Sequence, residues 1–407
     1  MLRVSTANFY RSGESNIVER QAELLKVQAQ LASGKRINSP GDDPLGAADV
    51  NSIRSGLSQF AQFKDNQGYA RYLLNLADSA IAGVVQTVQD VQTRLVEAGN
   101  GVLTDADRRT LATDLEGQLA RLVGLANSPD GAGGYLFAGA RENTVPFAQS
   151  GTTVTFAGDD ILQKLEISKD RFQQVKFSGD GLFLKPRAGN GSFTTDAAAA
   201  NTGAAWIDPG SVTNPAALTG RPYRIEFVVT GGVTSFSVQR DDGGGVFTTV
   251  VPATPYTAPQ SIGFDGIQVS IAGTPANNDR FDVAPAPYQS LFDTVARAIT
   301  ALRAPVQGNA AAQAQFRTDL SQAQASMQQA LDQVLLKRSE IGTSLAELDN
   351  YETLADDRQL QYQSRLSAVE DLDYAQGVSD LARRQSAFEA ALASYSKVSK
   401  LTLFDYL

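Results

Sequence analysis

The stretch YAQGVSDLARRQSAFEAALASY, residues 374–395, sets Tyr374, Val378, Leu381, Phe388, Leu392 and Tyr395 alternately four and three apart, with Gln385 the polar member of the series. A 4-3 step is the seam of a coiled coil, because about 3.5 residues per turn keeps such a stripe facing one partner helix. Near the other end, Tyr10, Ile17, Leu24 and Leu31 fall seven residues apart. Stripes at both ends around a β-rich centre predict a chain that leaves and returns through one helical rod. Two partners fit the terminal stripes equally: another helix of this chain, or a neighbouring subunit.

Working inward, a first helix is expected from about Ser5 to Ser33, ended by Gly34, a residue suited to the left-handed backbone that closes helices. In the loop from Lys35 to Pro44, Asp42 or Asp43 suits the cap of the next helix and Pro44 its first position, where no backbone donor is needed. Ala70, Leu74, Ala77, Ile81, Val84, Val88, Val91, Leu95 and Ala98 then step 4-3 without a break, a stripe that neighbouring helices of this chain can cover. A third helix starts near Thr104, with Leu111, Leu115, Leu119 and Leu122 on its buried side.

From about Gly131 to Pro287 the texture becomes Gly-, Thr-, Val- and Phe-rich. Val154/Phe156 and Leu165/Ile167 alternate as strands, with Gly158-Asp159-Asp160 as a turn between them. Tyr223, Ile225, Phe227 and Val229 make a period-2 strand, and Asp241–Gly245 reads as a hairpin turn between Phe236/Val238 and Phe247. Ile267/Val269/Ile271 and Phe281/Val283 make the last strands. The stretch 189–214 reads as mobile loop with Trp206 as anchor. Helix resumes at about Tyr288, with Leu291, Val295, Ile299 and Leu302 on one face, and Pro305 ends it. From about Ala310 almost to the end the pattern is helical. Roughly 90 residues would span about 135 Å. Phe316 to Val334 keep the 4-3 step, and after Lys337 the stripe resumes on a shifted register.

Composition narrows the function. The 407 residues can bury a large core, and a net charge of −9 argues against nucleic acid as a partner. The chain has no cysteine, hence no thiolate chemistry, and no histidine, the commonest general base and metal ligand. No apolar run reaches the roughly 18–20 residues of a membrane span, and Met1–Thr6 lacks the apolar stretch of a cleavable signal. Among candidate chemical features, the acid pairs Asp42-Asp43, Asp159-Asp160 and Asp241-Asp242 suit turns or caps, and Asp356-Asp357 a solvated helix face. The glycines of 130–137 complete no dinucleotide fingerprint. Asn190-Gly191-Ser192 matches a glycosylation sequon, three residues of weak signal.

The run Gln30-Leu31-Ala32-Ser33-Gly34-Lys35-Arg36-Ile37, followed by Pro40-Gly41-Asp42-Asp43-Pro44, resembles the N-terminal signature of the flagellin superfamily. The acidic pair between two prolines looks like its hook-associated protein 3 branch. Ala98–Gly101, Asp105–Arg109, Leu125–Asn127, Gly134–Gly139, Glu370–Ala375 and the closing Leu401–Leu407 are similar to the same branch, in the right order. The segment from about Gly189 to Ala284 resembles, more loosely, the outer β-domains of hook-associated proteins.

The resemblance implies a fold that is mainly α with inserted β: a long coiled-coil-like helical rod formed by both termini, a β-hairpin region and an outer β-domain. The corresponding domains are 1–40 with 370–407, 41–187 with 286–369, and 188–285. It implies a structural, non-enzymatic subunit without cofactors that joins the hook, through hook-associated protein 1, to the flagellin filament. It further implies a homo-oligomeric ring layer, an export chaperone at the C-terminal segment, an extracellular place on the flagellum reached through the flagellar type III system, and neither nucleic-acid nor membrane partners. The expected assembly interface comprises Tyr10, Ile17, Leu24, Leu31, Tyr374, Val378, Leu381, Phe388, Leu392 and Tyr395, and the signature loop Gly34, Lys35, Arg36, Asp42, Asp43 and Pro44. Two alternatives stand beside it: flagellin itself, and an enzyme carried in the β-domain, which would need a cleft of convergent acids.

Overall fold

The computed structural model describes residues 6–399. The family-like ending Leu401–Leu407 lies outside them, as do residues 1–5. The fold is mainly α with an inserted β region. The chain divides into two compact units, one of residues up to Asn66 and from Asn350 onward, the other of Gln67–Asp349.

The first unit holds α1 (Thr6–Ser33), the beginning of α2 (Pro44–Ala98), the end of α5 (Ala310–Glu370) and α6 (Tyr374–Ser399). Gly34, at φ +72°, ends α1 as expected, and Pro44 opens α2. The single C-terminal helix of about 90 residues does not form. A break at Asp371-Leu372-Asp373 divides it, and the Asp373 carboxylate accepts from the Ala375 and Gln376 amides at 2.9 and 3.2 Å, capping α6.

In the second unit α2, α3 (Asp105–Ala126), α4 (Leu291–Arg303) and α5 form a bundle. All nine residues of the Ala70–Ala98 stripe are buried, as are Leu111, Leu115, Leu119 and Leu122 of α3. Thr104 caps α3 with Asp107 in a reciprocal capping box. Ser290 caps α4, so that helix starts later than Tyr288, whose backbone instead bridges Arg187. On α5, Met327, Ala330 and Val334 are buried, and Ile341 and Leu348 continue the core beyond Lys337. Asp78 and Arg338 tie α2 to α5 at 2.8 Å.

Between α3 and α4 two hairpins form: β1 (Phe147–Ser150) with β2 (Thr153–Phe156), and β3 (Lys164–Ser168) with β4 (Arg171–Gln174). Val154/Phe156 and Leu165/Ile167 thus lie in strands, β2 and β3, with Gly158–Asp160 between them as expected, but the two strands do not pair with one another. Each strand pairs with a closer neighbour in sequence, and Asp159 accepts from the Ala140 and Ile161 amides to fix the intervening loop. Phe137, Phe147, Phe183 and Phe292 form a ring cluster with centroids 5.1–5.7 Å apart, seating the hairpin region on α4.

The remaining strands are β5 (Phe193–Ala197), β6 (Trp206–Ile207), β7 (Ser211–Val212), β8 (Tyr223–Thr230), β9 (Val233–Gly243), β10 (Val246–Pro255), β11 (Gln260–Phe264), β12 (Ile267–Ala272) and β13 (Arg280–Pro285). One antiparallel sheet runs β10-β9-β8-β13-β5, and a second joins β11, β12, β6 and β7. Their inner faces share one core, with Tyr223, Ile225, Phe227, Phe281 and Val283 from the first sheet and Ile262, Val269, Ile271 and Ile207 from the second. The stretch 189–214 is thus not a mobile loop. It supplies β5, β6 and β7, and Ala205 and Ile207, rather than Trp206, are its buried anchors. Short two-residue strands paired across long sequence distances carry no local periodicity, which is why the stretch reads as loop.

This β module leaves and returns through a two-stranded neck. Arg187 and Tyr288 bridge antiparallel, the Ala188 and Gln289 amides donate to Pro287 and Pro186 carbonyls, and the Arg187 guanidinium lies 4.3 Å over the Tyr288 ring. α5 holds the module further: Gln322 donates to the Thr195 carbonyl at 2.7 Å, and the Ser326 hydroxyl accepts from the Gly189 amide at 2.8 Å. Leu115→Ala, at the centre of the bundle, should cost about 2–5 kcal/mol in denaturant melts followed by far-UV circular dichroism. A loss below about 1 kcal/mol would show that the leucine stripe of α3 is not core.

Candidate assembly site

α1 and α6 run antiparallel. Tyr10 and Tyr395 meet edge-to-face with centroids 6.5 Å apart, Glu23 pairs with Arg384 at 2.7 Å, and Leu31 faces Gly377. A Cβ on Gly377 would lie 3.1 Å from the Leu31 side chain and 3.0 Å from that of Leu372, so the close approach favours glycine. The face of α6 turned to α1 is therefore Gly377, Leu381, Arg384, Phe388, Ala391 and Tyr395, each partly or fully buried. On α1, Tyr10 and Leu31 meet it, and Ile17, Leu24 and Val27 between them are partly or fully buried. The interval from Gly377 is again 4-3, but offset from the series that begins at Tyr374 and Val378. The two series share Leu381, Phe388 and Tyr395. Val378 and Leu392 stay 57% and 42% exposed on the flank, and on α1 Val18 and Leu25 are similarly exposed. Tyr374 is mostly exposed as well, although its hydroxyl sits against Gly34.

The signature loop is locked to the break between α5 and α6. Lys35 and Asp371 form an antiparallel bridge, the Arg36 amide donates to the Glu370 carbonyl at 2.7 Å, and the Leu372 amide donates to the Gly34 carbonyl at 2.9 Å. Glu370, only 5% exposed, accepts Lys35 and Arg54, each at 2.6 Å. Backbone groups freed where both helices stop thus satisfy one another, and a buried carboxylate is paired from two sides. Sequence reasoning missed Glu370 and Arg54. The one available signal was the acid-rich Glu370-Asp371-Leu372-Asp373, whose last residue is a favoured cap.

Within the loop, Asp42 accepts from the Asn38 and Ser39 amides at 3.1 and 2.8 Å and from Lys26 at 2.9 Å. Asp43 accepts from the Gly46 amide at 2.9 Å and pairs with Arg36 at 3.2 Å. Asp43 thus serves the start of α2, while Asp42 ties the loop to itself and to α1. The Lys26 ammonium, and then the Ser39 amide, hold the Asp42 carboxyl down at about 2. Asp241 likewise accepts from Gly243, and Asp356 pairs with Lys64. Asn190 of the sequon donates to the Pro209 and Gly210 carbonyls, a turn role.

One cleft brings acids together that sequence reasoning kept apart. About 840 Å³ in volume, it is lined by Asp196 of β5, Asp293 and Arg297 of α4, and Asp319 of α5. Desolvation raises the carboxyls of Asp196 and Asp319, with Arg297 opposing the rise. No cluster of three or more His, Cys, Asp or Glu suited to a metal occurs among the described residues.

Comparison with known proteins places this geometry. The family of the bacterial flagellin N-terminal helical region matches residues 4–142, and the D2-like domain of flagellar hook-associated protein 1 matches residues 196–285. Flagellar hook-associated protein 3 of Salmonella typhimurium is 26% identical over 404 residues, covering 99% of each chain. The chain is thus similar to flagellar hook-associated protein 3 along nearly its whole length. The crystal structure of the flagellar junction protein from Legionella pneumophila superposes with a TM-score of 0.71 at 27% identity, covering 80% of this chain and all of that one. Flagellin B of Helicobacter pylori, 29% identical, matches only 42% of this chain and 34% of its own length.

Acid should loosen the signature loop. The folded Asp42 carboxyl lies below its ordinary 3.8, so the stability it contributes is full above that value and is lost as pH falls through about 2. Amide exchange at Asn38 and Ser39 should accelerate across that window in the native protein, and Asp42→Asn should abolish the transition.

Proposed function

We infer that this protein is the structural subunit of the bacterial flagellum that forms the junction between hook and filament. The observation that carries this is correspondence along 99% of the chain with hook-associated protein 3, against flagellin matches that are partial, from 38% to 56% of it. The relatives are structural flagellar proteins, and association with other flagellar components follows for this chain. Its finer assignments are ours. The hook side binds hook-associated protein 1, the far side binds flagellin, and copies of the chain close into a ring layer. The subunit is extracellular, leaves through the flagellar type III system, is held beforehand by a chaperone at its C-terminal segment, and performs no catalysis.

We assign the terminal segments 1–40 and 370–407 to assembly, 41–187 with 286–369 to the supporting bundle and hairpins, and 188–285 to the outer surface. Among the ten residues of the expected interface, those facing inward have a role within the subunit. Leu381, Phe388 and Tyr395 with Tyr10, Ile17, Leu24 and Leu31 keep α1 and α6 paired. Val378 and Leu392, exposed beside that seam, and Tyr374 next to the signature loop of Gly34, Lys35, Arg36, Asp42, Asp43 and Pro44, meet the neighbours. Apolar residues at heptad spacing on a solvent flank support this division.

Two variants separate these roles. Val378→Asp with Leu392→Asp should leave the monomer's melting temperature within about 2 °C, since exposed sites change stability by only about 0.5 kcal/mol. In a strain lacking the native protein, the double variant should release filaments into the medium. Leu381→Asp places a carboxylate in the α1–α6 seam at a cost of several kcal/mol, and should unpair the helices even in the monomer. Attached filaments with the double variant would refute the flank as interface. Long filaments grown by the wild-type chain alone from seeds would favour the flagellin reading instead.

The neck permits a second experiment. Replacing 189–284 by a short Gly/Ser linker should still allow filaments to attach. If the shortened protein is exported and folded yet no filament attaches, the outer module contributes essential junction contacts.

A further inference from the structure

A polar pocket of about 450 Å³ opens where α2 ends and α5 begins, next to the start of α3. Its lining includes Asn100, Arg108, Gln307, Asn309, Phe316 and Arg317. Arg108 is only 5% exposed. One of its terminal nitrogens donates to the Leu103 carbonyl at 3.0 Å, and the other abuts the Asp105 carboxylate. Its guanidinium lies 5.3 Å over the Phe316 ring, and its Nε has no acceptor among the described residues. A buried N–H without an acceptor is costly and uncommon. Asp105 is not part of the lining and also receives the Val306 amide at 3.3 Å. Burial, together with the Arg109 charge, lowers the Arg108 pKa.

Two further features point the same way. Arg317 borders the pocket from the first turns of α5 and is engaged by no acid among the described residues. The pocket also meets the N-terminus of the 61-residue α5, opened by Gly308 and capped by Asn309, whose carboxamide oxygen accepts from the Ala312 amide at 3.0 Å. A helix N-terminus attracts anions, and guanidinium groups match carboxylate and phosphate geometry. In a chain of net charge −9, the charged groups lining this pocket are both cationic.

We propose that the pocket is an oxyanion site that takes a carboxylate or a phosphate group between Arg108, Arg317 and the first turn of α5. A bound oxyanion supplies the acceptor that Arg108 Nε lacks and neutralises Arg317 in the same step. Because the walls come from the ends of α2 and α5 and the start of α3, occupancy also braces this end of the bundle.

The test is a titration of the full-length chain with inorganic phosphate, and separately with acetate, against chloride at equal ionic strength. The amide resonances of Gly101, Gly308 and Ala310 report on the site. They should shift saturably with at least one of the two anions. Arg317→Gln, a change on an exposed side chain, should weaken binding about tenfold or more, with Arg317→Lys intermediate. Arg108→Gln should abolish binding, and Arg317→Gln carries the test if that buried variant fails to fold. Saturation by phosphate alone identifies a free phosphate-type ligand. Saturation by acetate at comparable affinity identifies a carboxylate, as on an acidic side chain. Absence of saturation with both anions, or an unchanged affinity in Arg317→Gln, overturns the proposal.

Discussion

The antiparallel hydrogen bonding of Gly34–Arg36 with Glu370–Leu372 is the constraint on which the first unit depends. Two helices that stop at the same level each leave backbone donors and acceptors without partners. Here the two interruptions satisfy one another, and the buried Glu370 carboxylate draws Lys35 and Arg54 onto the junction. A break in one strand alone would leave those groups orphaned. Once the level of the break is fixed, so is the register of α1 against α6, from Tyr374 at Gly34 to Tyr395 at Tyr10.

That register sorts the apolar residues of the termini by use. A helix with a 3.6-residue repeat has room for one apolar stripe against its partner and a second beside it. Leu381 and Phe388 occupy the first. Val378 and Leu392 occupy the second, as Val18 and Leu25 do on α1. A subunit that covered every apolar residue internally would have little left with which to meet a neighbour.

Much of this was legible in the sequence because the signals were local. The Ala70–Ala98 stripe, the Thr104 cap, Gly34 and the strand at Tyr223 each announce themselves within a few turns or a few alternations. What was not legible depended on distant partners. The three-residue break before α6 lacks proline and glycine, and it is stabilised by residues more than 330 positions away. β6 and β7 are two residues each and exist only because β12 pairs with them. For the signature loop, the sequence pointed to Asp42 and Asp43 but not to Glu370, whose importance comes from burial. The seam of α6 was read one position off at Val378, since Gly377 gives no hydrophobic signal and is favoured for its lack of a side chain.

The pairing of α1 with α6 also has a kinetic side. Its contacts join segments near opposite ends of a 407-residue chain, whereas the hairpins and the α3 cap close over a few residues. Closing so long a loop carries the largest entropic penalty in the molecule, and contacts of high sequence separation form slowly. The order of folding therefore runs from the middle outward, and the terminal seam, last to close, is also the first part of the subunit able to open without disturbing the rest.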